Sequence, residues 1–153
     1  LLKGPNVMSG YLNNPTKTDE VLQDGWYTTG DIAAIDEDGF VTITDRLSRF
    51  SKIGGEMVPH IKIEDKLQEL AGAILQSFAV TSLADAKKGE KLMVLHTLAP
   101  SALDEVLEKL AAADLPNLWK PKRDQFVSVE ALPVLGTGKT DLRKVKEIAA
   151  LHS

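Results

Sequence analysis

The stretches FAVTSL at residues 78–83 and LMVLHTL at residues 92–98 decide the fold of this chain. Both are short runs of mostly apolar residues, as expected of strands whose two faces are covered by other elements. A third strand is predicted over residues 125–132. We therefore predict a small sheet in which residues 92–98, the most apolar of the three runs, form the central strand.

Three amphipathic segments surround these strands and predict helices. In the first, which follows Pro59, apolar residues recur at i, i+4, i+7, i+8 and i+11, the spacing of one helix face. These residues are Ile63, Leu67, Leu70, Ala71 and Ile74. The second segment covers Leu103 to Leu110, with Ser101 as its predicted N-cap, and the third runs from Asp141 to about Leu151. This order of elements predicts an α+β domain, a short β-sheet packed by about three helices.

The first part of the chain follows a different pattern and predicts a separate unit. Residues 16–25, TKTDEVLQDG, predict one short helix. Two β-prone runs, residues 32–35 and 40–43, then flank an Asp-Gly pair, which is typical of a β-hairpin. Alternating strands and helices begin only after this hairpin. We therefore divide the chain into residues 1–46 and residues 47–153.

Composition excludes several classes of protein. The 153 residues are 43% hydrophobic and 26% charged, which is typical of a globular domain. A formal net charge of −4 offers no global basic field for nucleic acid or an anionic membrane surface. The absence of cysteine excludes disulfide bonds and a thiolate nucleophile, and it predicts an intracellular location. The three histidines show no metal-binding spacing, and no apolar run reaches the roughly 18 residues of a membrane span.

Two charged residues near the hairpin are candidates for binding a ligand. Asp31 ends the motif GWYTTGD, where it either belongs to an ordinary turn or accepts hydrogen bonds from the two vicinal hydroxyls of a ribose. Arg46 follows the second hairpin strand. It is either a solvated surface charge or a planar donor to ribose oxygens or a phosphate. Spacing alone leaves both alternatives open.

Two glycine-rich segments later in the chain are also candidates. Gly54 and Gly55 lie in RFSKIGGEMV, residues 49–58, and permit either a hairpin turn or a loop that passes closely along a ligand. Lys139 lies in LPVLGTGKTDLR, residues 132–143, and is either solvated or a ligand-binding cation. This segment is not a phosphate-binding Walker loop, because Pro133 stands where that motif requires glycine.

The order and separation of these motifs resemble the adenylate-forming superfamily of acyl-CoA synthetases, luciferases and peptide-synthetase adenylation domains. The series GWYTTGD, DEDGF, DR, KIGGE and a late GK covers nearly the whole chain. Within the superfamily, GPNVMSGYL, RFSKIGGEMV and PVLGTGKTDL look most like the ligase part of the bacterial bifunctional 2-acylglycerophosphoethanolamine acyltransferase / acyl-[acyl-carrier-protein] synthetases.

The resemblance implies a role for each matching residue. Asp31 would bind the ribose hydroxyls of ATP, and Arg46 would contact the same nucleotide. Ser48 would lie at the hinge about which a small domain turns. The loop Lys52–Glu56 would line the tunnel of the thiol acceptor, and Lys139 would reach into the active site as the catalytic lysine of adenylation.

The resemblance also implies what the whole protein does. Residues 1–46 would be a β-hairpin remnant of the large adenylating domain, and residues 47–153 the mobile C-terminal domain of a ligase. That ligase would use ATP and Mg²⁺, held mainly by upstream regions, to convert a fatty acid to its acyl-adenylate. It would then transfer the acyl group to the phosphopantetheine thiol of acyl carrier protein or CoA, feeding lysophospholipid reacylation.

The resemblance leaves the location and two alternative functions to be tested. We expect the chain to be a cytoplasmic fragment that is inactive alone, and the full-length protein to lie at the inner membrane through upstream segments. One alternative is a non-catalytic module that docks an acyl carrier protein, which would require a complete fold without residues 1–46. Another is the C-terminal part of a different acyl-CoA synthetase or of an amino-acid adenylation domain.

Overall fold

The structure, a computed structural model, describes residues 1–152 and divides the chain after Leu47 into two compact units. The first unit contains helix α1, Pro15–Val21, and two antiparallel strand pairs. The strands are β1 (Leu22–Gln23), β2 (Trp26–Tyr27), β3 (Asp31–Ile35) and β4 (Val41–Arg46).

Local side-chain contacts explain the elements of the first unit. The side-chain oxygen of Asn14 accepts the amide of Lys17 at 3.1 Å and caps α1, whose first residue is Pro15. Asp36 Oδ1 accepts the amide of Phe40 at 2.8 Å and closes the turn between β3 and β4. The short helix and the hairpin predicted from the sequence are therefore confirmed.

The first unit buries no core of its own. None of residues 1–47 falls in the buried class. Large apolar side chains of the hairpin are exposed, with Ile35 and Phe40 at 71% and Ile43 at 65%. An apolar surface of this kind is unusual unless another surface covers it.

The second unit is built on a five-stranded sheet. Its strands are β5 (Phe50–Ile53), β6 (Glu56–Pro59), β7 (Phe78–Asp85), β8 (Gly89–His96) and β9 (Phe126–Ser128). The order is β6-β5-β8-β7, and β9 pairs with β8 in parallel while the other pairs are antiparallel. Because β8 pairs with β5, β7 and β9, the predicted central strand is confirmed, although it covers Gly89–His96 rather than residues 92–98.

Helices cover both faces of this sheet. Alternate residues of a strand point to opposite faces, so one strand contributes side chains to two cores. The helices are α2 (His60–Ala71), α3 (Pro100–Ala112) and α4 (Leu142–Ala150). Phe78 and Val80 of β7 join a core with residues of α2 and α3, whereas Ala79 between them packs in a second core with Val145 and Ala149 of α4. The predicted α+β fold, with a short sheet packed by three helices, is confirmed.

Other predicted boundaries also differ from the structure. Ile74 is 100% exposed and outside α2, because Gly72 adopts φ 61° and ends the helix. Ser101 is not the N-cap of α3; Ala99 takes that position and the helix begins at Pro100, whose fixed φ suits a first turn. Only three residues of the predicted 125–132 strand, those of β9, pair with β8.

A buried ion pair fixes the start of the second unit. The guanidinium of Arg49 contacts Glu64 of α2, and the two side chains are only 10% and 11% exposed. The other carboxylate oxygen of Glu64 accepts the amide of Val80 at 2.6 Å. The chain just after Ser48 is thereby tied to both α2 and β7.

Candidate functional site

Asp31 and Arg46 meet across the hairpin of the first unit. The two residues are partners in the β3–β4 register, and Arg46 Nε lies 2.8 Å from Asp31 Oδ1. The Asp31 side chain is 18% exposed and that of Arg46 is 65% exposed. The sequence proposed both residues for one ligand, and the structure brings them together.

The carboxylate of Asp31 is held in an ion pair through one of its oxygens. Its Oδ1 is buried and has no hydrogen-bond partner within residues 1–152, because the Arg46 contact has the distance of an ion pair without the angles of a hydrogen bond. The amide of Asp31 is held by Thr29 Oγ1 at 3.1 Å. A carboxylate has a second oxygen, which suits a donor such as a sugar hydroxyl.

Sequence reasoning did not single out Tyr27, whose hydroxyl is influenced by the charges of this pair. The pKa of the Tyr27 hydroxyl is raised above its usual value, chiefly by a side-chain hydrogen bond with Tyr11 and by the charge of Tyr11. The charge of Asp31 also raises this pKa, whereas the charge of Arg46 lowers it. Tyr27 belongs to the same GWYTTGD motif as Asp31. Its position four residues before Asp31 was the available signal.

Ser48 and the Lys52–Glu56 segment lie at the beginning of the second unit. Ser48 is exposed and occupies a single 3₁₀ turn, Leu47–Arg49, between β4 and β5. Gly54 and Gly55 form the turn between β5 and β6 with φ of 59° and 93°, values that side chains disfavour. A Cβ atom at either glycine would meet nothing within 4 Å, so this turn leaves its backbone open to approach.

Lys139 lies in a structured loop before α4. The Leu135 amide donates to the Lys139 carbonyl at 2.7 Å, and Val134 forms a β-bridge with Thr140. Gly138 takes φ 81° at the turn. The Lys139 side chain is exposed, and no carboxylate of residues 1–152 lies within 4.0 Å of its ammonium group. The loop therefore presents a free cation.

The candidates belong to different units and loops. Asp31 and Arg46 lie in the first unit, whereas Lys139 and the Lys52–Glu56 turn lie on separate loops of the second. Among residues 1–152, no cluster of three or more His, Cys, Asp or Glu side chains is arranged to hold a metal ion. Across the same residues, no helix combines the length and the apolar character that crossing a membrane requires.

Comparison with known proteins relates the chain to ligases that activate carboxylic acids. No family model matches the chain. A long-chain-fatty-acid–CoA ligase of Salmonella typhimurium is 36% identical over 150 residues, which cover 97% of this chain and 26% of that protein. A 2-succinylbenzoate–CoA ligase of Listeria monocytogenes is 36% identical over 148 residues, 96% of this chain and 31% of that protein.

Solved structures place the fold in the same group. ATP-bound MatB from Rhodopseudomonas palustris aligns with a TM-score of 0.72 and 28% identity over 99% of this chain and 30% of that chain. The o-succinylbenzoate CoA synthetase MenE of Bacillus subtilis, in complex with its acyl-adenylate intermediate, aligns with a TM-score of 0.69 and 25% identity over 94% and 29%. These homologues and neighbours are adenylate-forming acyl-CoA ligases.

The match to adenylate-forming ligases is confined to one part of those enzymes. The small α+β fold is that of the ligase C-terminal domain. The chain spans only 26% and 31% of the length of the two curated ligases described above.

Proposed function

We propose that this chain forms the C-terminal part of an ATP-dependent acid–thiol ligase. In the first half-reaction, a carboxylate attacks the α-phosphate of ATP, which releases pyrophosphate and leaves an acyl-adenylate. In the second, a thiol attacks the acyl carbonyl, which releases AMP and leaves a thioester. Residues 1–46 would complete the large adenylating domain, and residues 47–153 would form the mobile domain that turns about Ser48.

The Asp31–Arg46 pair is proposed to bind the nucleotide. The second carboxylate oxygen of Asp31 can accept a ribose hydroxyl, and the exposed guanidinium of Arg46 can donate to ribose oxygens or a phosphate. ATP fits this pair because a carboxylate can accept hydrogen bonds from its ribose hydroxyls and a guanidinium can donate hydrogen bonds to its phosphates. No group of three or more His, Cys, Asp or Glu side chains among residues 1–152 forms a cage for Mg²⁺, and we assign the ion mainly to upstream regions.

The observation that supports this function most directly is the free ammonium of Lys139 on a structured loop. Negative charge builds on the carboxylate and phosphoryl oxygens during adenylation. An ammonium about 4 Å from such a charge contributes about 4 kcal/mol at an effective dielectric constant of about 20, before desolvation is subtracted. Lys139 is therefore proposed as the catalytic residue of the first half-reaction.

The open β5–β6 turn is proposed to serve the second half-reaction. The backbone of Gly54 and Gly55 has no side chain to block a narrow pantetheine arm. Lys52 and Glu56 flank this turn on the two strands and are both exposed. We assign the Lys52–Glu56 turn to the tunnel through which the thiol reaches the acyl-adenylate.

Two further parts of the proposal are the acid that the ligase activates and the thiol that accepts the acyl group. The segments GPNVMSGYL, RFSKIGGEMV and PVLGTGKTDL favour a fatty acid as substrate and acyl carrier protein as acceptor, with the product used to reacylate a lysophospholipid. The curated relatives are named as CoA ligases, which favours CoA. Both acceptors present a phosphopantetheine thiol, so the chemistry at the turn is the same.

The test separates the two half-reactions in the full-length enzyme. Lys139→Ala should lower adenylation, measured as fatty-acid-dependent ATP–pyrophosphate exchange, by about 10²–10³-fold. Thioester formation from supplied acyl-adenylate should remain, because Lys139 is not assigned to that step. Parallel assays with acyl carrier protein and with CoA identify the acceptor.

Lys144→Ala provides a matched control. Lys144 is also an exposed lysine of the second unit, but its ammonium pairs with Glu147 at 3.2 Å on α4. This variant should leave both half-reactions near their original rates. Equal losses in the two half-reactions for Lys139→Ala, or no loss in either, would contradict the proposed function.

A further inference from the structure

The turn between β5 and β6 is held in place by the turn between β7 and β8. Gly54 donates its amide to the carbonyl of Lys88 at 2.9 Å, and Ile53 pairs with Gly89 in the sheet register. Gly89 has φ 81°, and a Cβ atom there would lie 3.5 Å from the carbonyl oxygen of Lys52. The two turns therefore meet through their backbones.

Glu90 adds a side-chain contact to this backbone junction. Its Oε2 accepts the amide of Lys52 at 2.6 Å, across 38 residues of sequence. Its Oε1 accepts the hydroxyl of Ser82, also at 2.6 Å. One carboxylate on β8 thus joins β5 to β7.

The Lys52 amide depends on this carboxylate for its partner. Ile53 and Glu56 close the β5–β6 hairpin, so the amide one residue earlier points away from β6. On that side β5 is paired with β8 only at Ile53. Glu90 supplies the partner of this amide, and the charge of its carboxylate strengthens the hydrogen bond.

The surroundings of Glu90 keep its carboxylate ionised. Burial raises its pKa, but the hydrogen bonds from Ser82 and Lys52, together with the nearby charges of Lys146 and His60, lower it below the usual value. His60, Ser82 and Lys146 line one pocket of the second unit together with Glu90. An ionised carboxylate can accept both hydrogen bonds at once.

We propose that Glu90 is a positioning residue for thioester formation, because it holds the Lys52–Glu56 turn at a fixed place on the sheet. This inference rests on the proposed function, in which that turn serves the second half-reaction. Glu90 touches no reacting group; it acts through the backbone of Lys52. Neither hydrophobic core of the sheet includes Glu90.

The test compares Glu90→Ala with Glu90→Gln in the full-length enzyme. Glu90→Ala should lower the kcat of thioester formation from supplied acyl-adenylate by about tenfold or more, since a misplacement of about 1 Å can cost about a hundredfold in rate. The KM for the acceptor and the rate of ATP–pyrophosphate exchange should change by less than about twofold. Glu90→Gln should restore most of the rate, because its amide oxygen can accept the Lys52 amide.

Ser82→Ala is the matched control, since it removes the other partner of Glu90 and leaves the Lys52 contact. It should retain the second half-reaction. If Glu90→Ala does not fold, Glu90→Met replaces it, because methionine keeps a side chain of similar length but offers no carboxylate to the Lys52 amide; the same selective loss is expected.

Three results would overturn the inference: equal losses in both half-reactions, an unchanged second half-reaction, or a Glu90→Gln variant as slow as Glu90→Ala. Failure of the proposed function is recognised separately. It would appear as a Lys139→Ala enzyme whose two half-reactions do not separate, whatever the Glu90 variants do.

Discussion

Replacing Arg49 with methionine would test the energetic role of the buried ion pair. Arg49→Met keeps a long apolar stem but removes the guanidinium, so Glu64 is left buried with the Val80 amide as its remaining partner. Removal of one partner from a buried pair costs about 3–5 kcal/mol. Because the Val80 hydrogen bond remains, we expect the free energy of unfolding to fall by about 3 kcal/mol at neutral pH, the lower end of that range.

The loss in the free energy of unfolding caused by Arg49→Met should become smaller in mild acid. Burial raises the pKa of Glu64 above its usual value, although the charge of Arg49 opposes the shift. Because the pKa of Glu64 is raised in the folded protein, protonation of Glu64 favours the folded state. This contribution to stability is complete below the unfolded-state pKa and is lost as the pH rises through the folded-state pKa. Arg49→Met removes the opposing charge and raises the pKa further. Acidification therefore neutralises Glu64 more readily in the variant and relieves its penalty.

Urea denaturation at neutral and mildly acidic pH would measure this effect. Trp119 fluorescence reports on the second unit if Trp26 of the first unit is replaced by phenylalanine. Arg123→Met is the matched control, because its pair with Asp104 is 59% and 56% exposed. Exposed pairs contribute about 0–1 kcal/mol. Equal losses for the two variants, or an Arg49→Met loss that does not change with pH, would refute the reasoning.

Two further predictions concern packing and backbone geometry. Leu67→Ala should lower the free energy of unfolding by about 2–5 kcal/mol because Leu67 is 0% exposed, whereas Ile74→Ala, at a fully exposed position, should change it by less than about 0.5 kcal/mol. Urea denaturation compares the two, and similar losses would contradict the described end of α2. Gly138→Ala should cost about 1–2 kcal/mol because φ is 81°, while Gly136→Ala in the same loop, without a positive φ, should be nearly neutral. Calorimetry measures both Tm values, and equal values would contradict the loop conformation.

Local sequence signals predicted the elements of the fold but not all of their ends. The spacing of Ile63 and Leu67 predicted the buried face of α2, and the Asp-Gly pair predicted the β3–β4 turn. Ile74 also fitted the helical spacing, yet Gly72 ends the helix before it. Periodicity records which residues are apolar, whereas the end of a helix depends on one backbone conformation.

Motifs identified the candidate site residues but not their contacts. The sequence singled out Asp31 and Arg46, while the β3–β4 register pairs them and places Arg46 Nε 2.8 Å from Asp31 Oδ1. Glu90 carried no sequence signal, because its partner Lys52 is 38 residues away. Such contacts follow from how strands align.

The sequence by itself determined the α+β class of the second unit, the central strand at residues 92–98 and the chemistry available at Lys139, because apolar periodicity and residue type are local properties. Only the tertiary structure decided that the Lys52 turn is attached to Glu90 and that Arg49 is buried against Glu64. Those contacts join residues distant in sequence. Their geometry exists only after the sheet has formed and brought the strands into register.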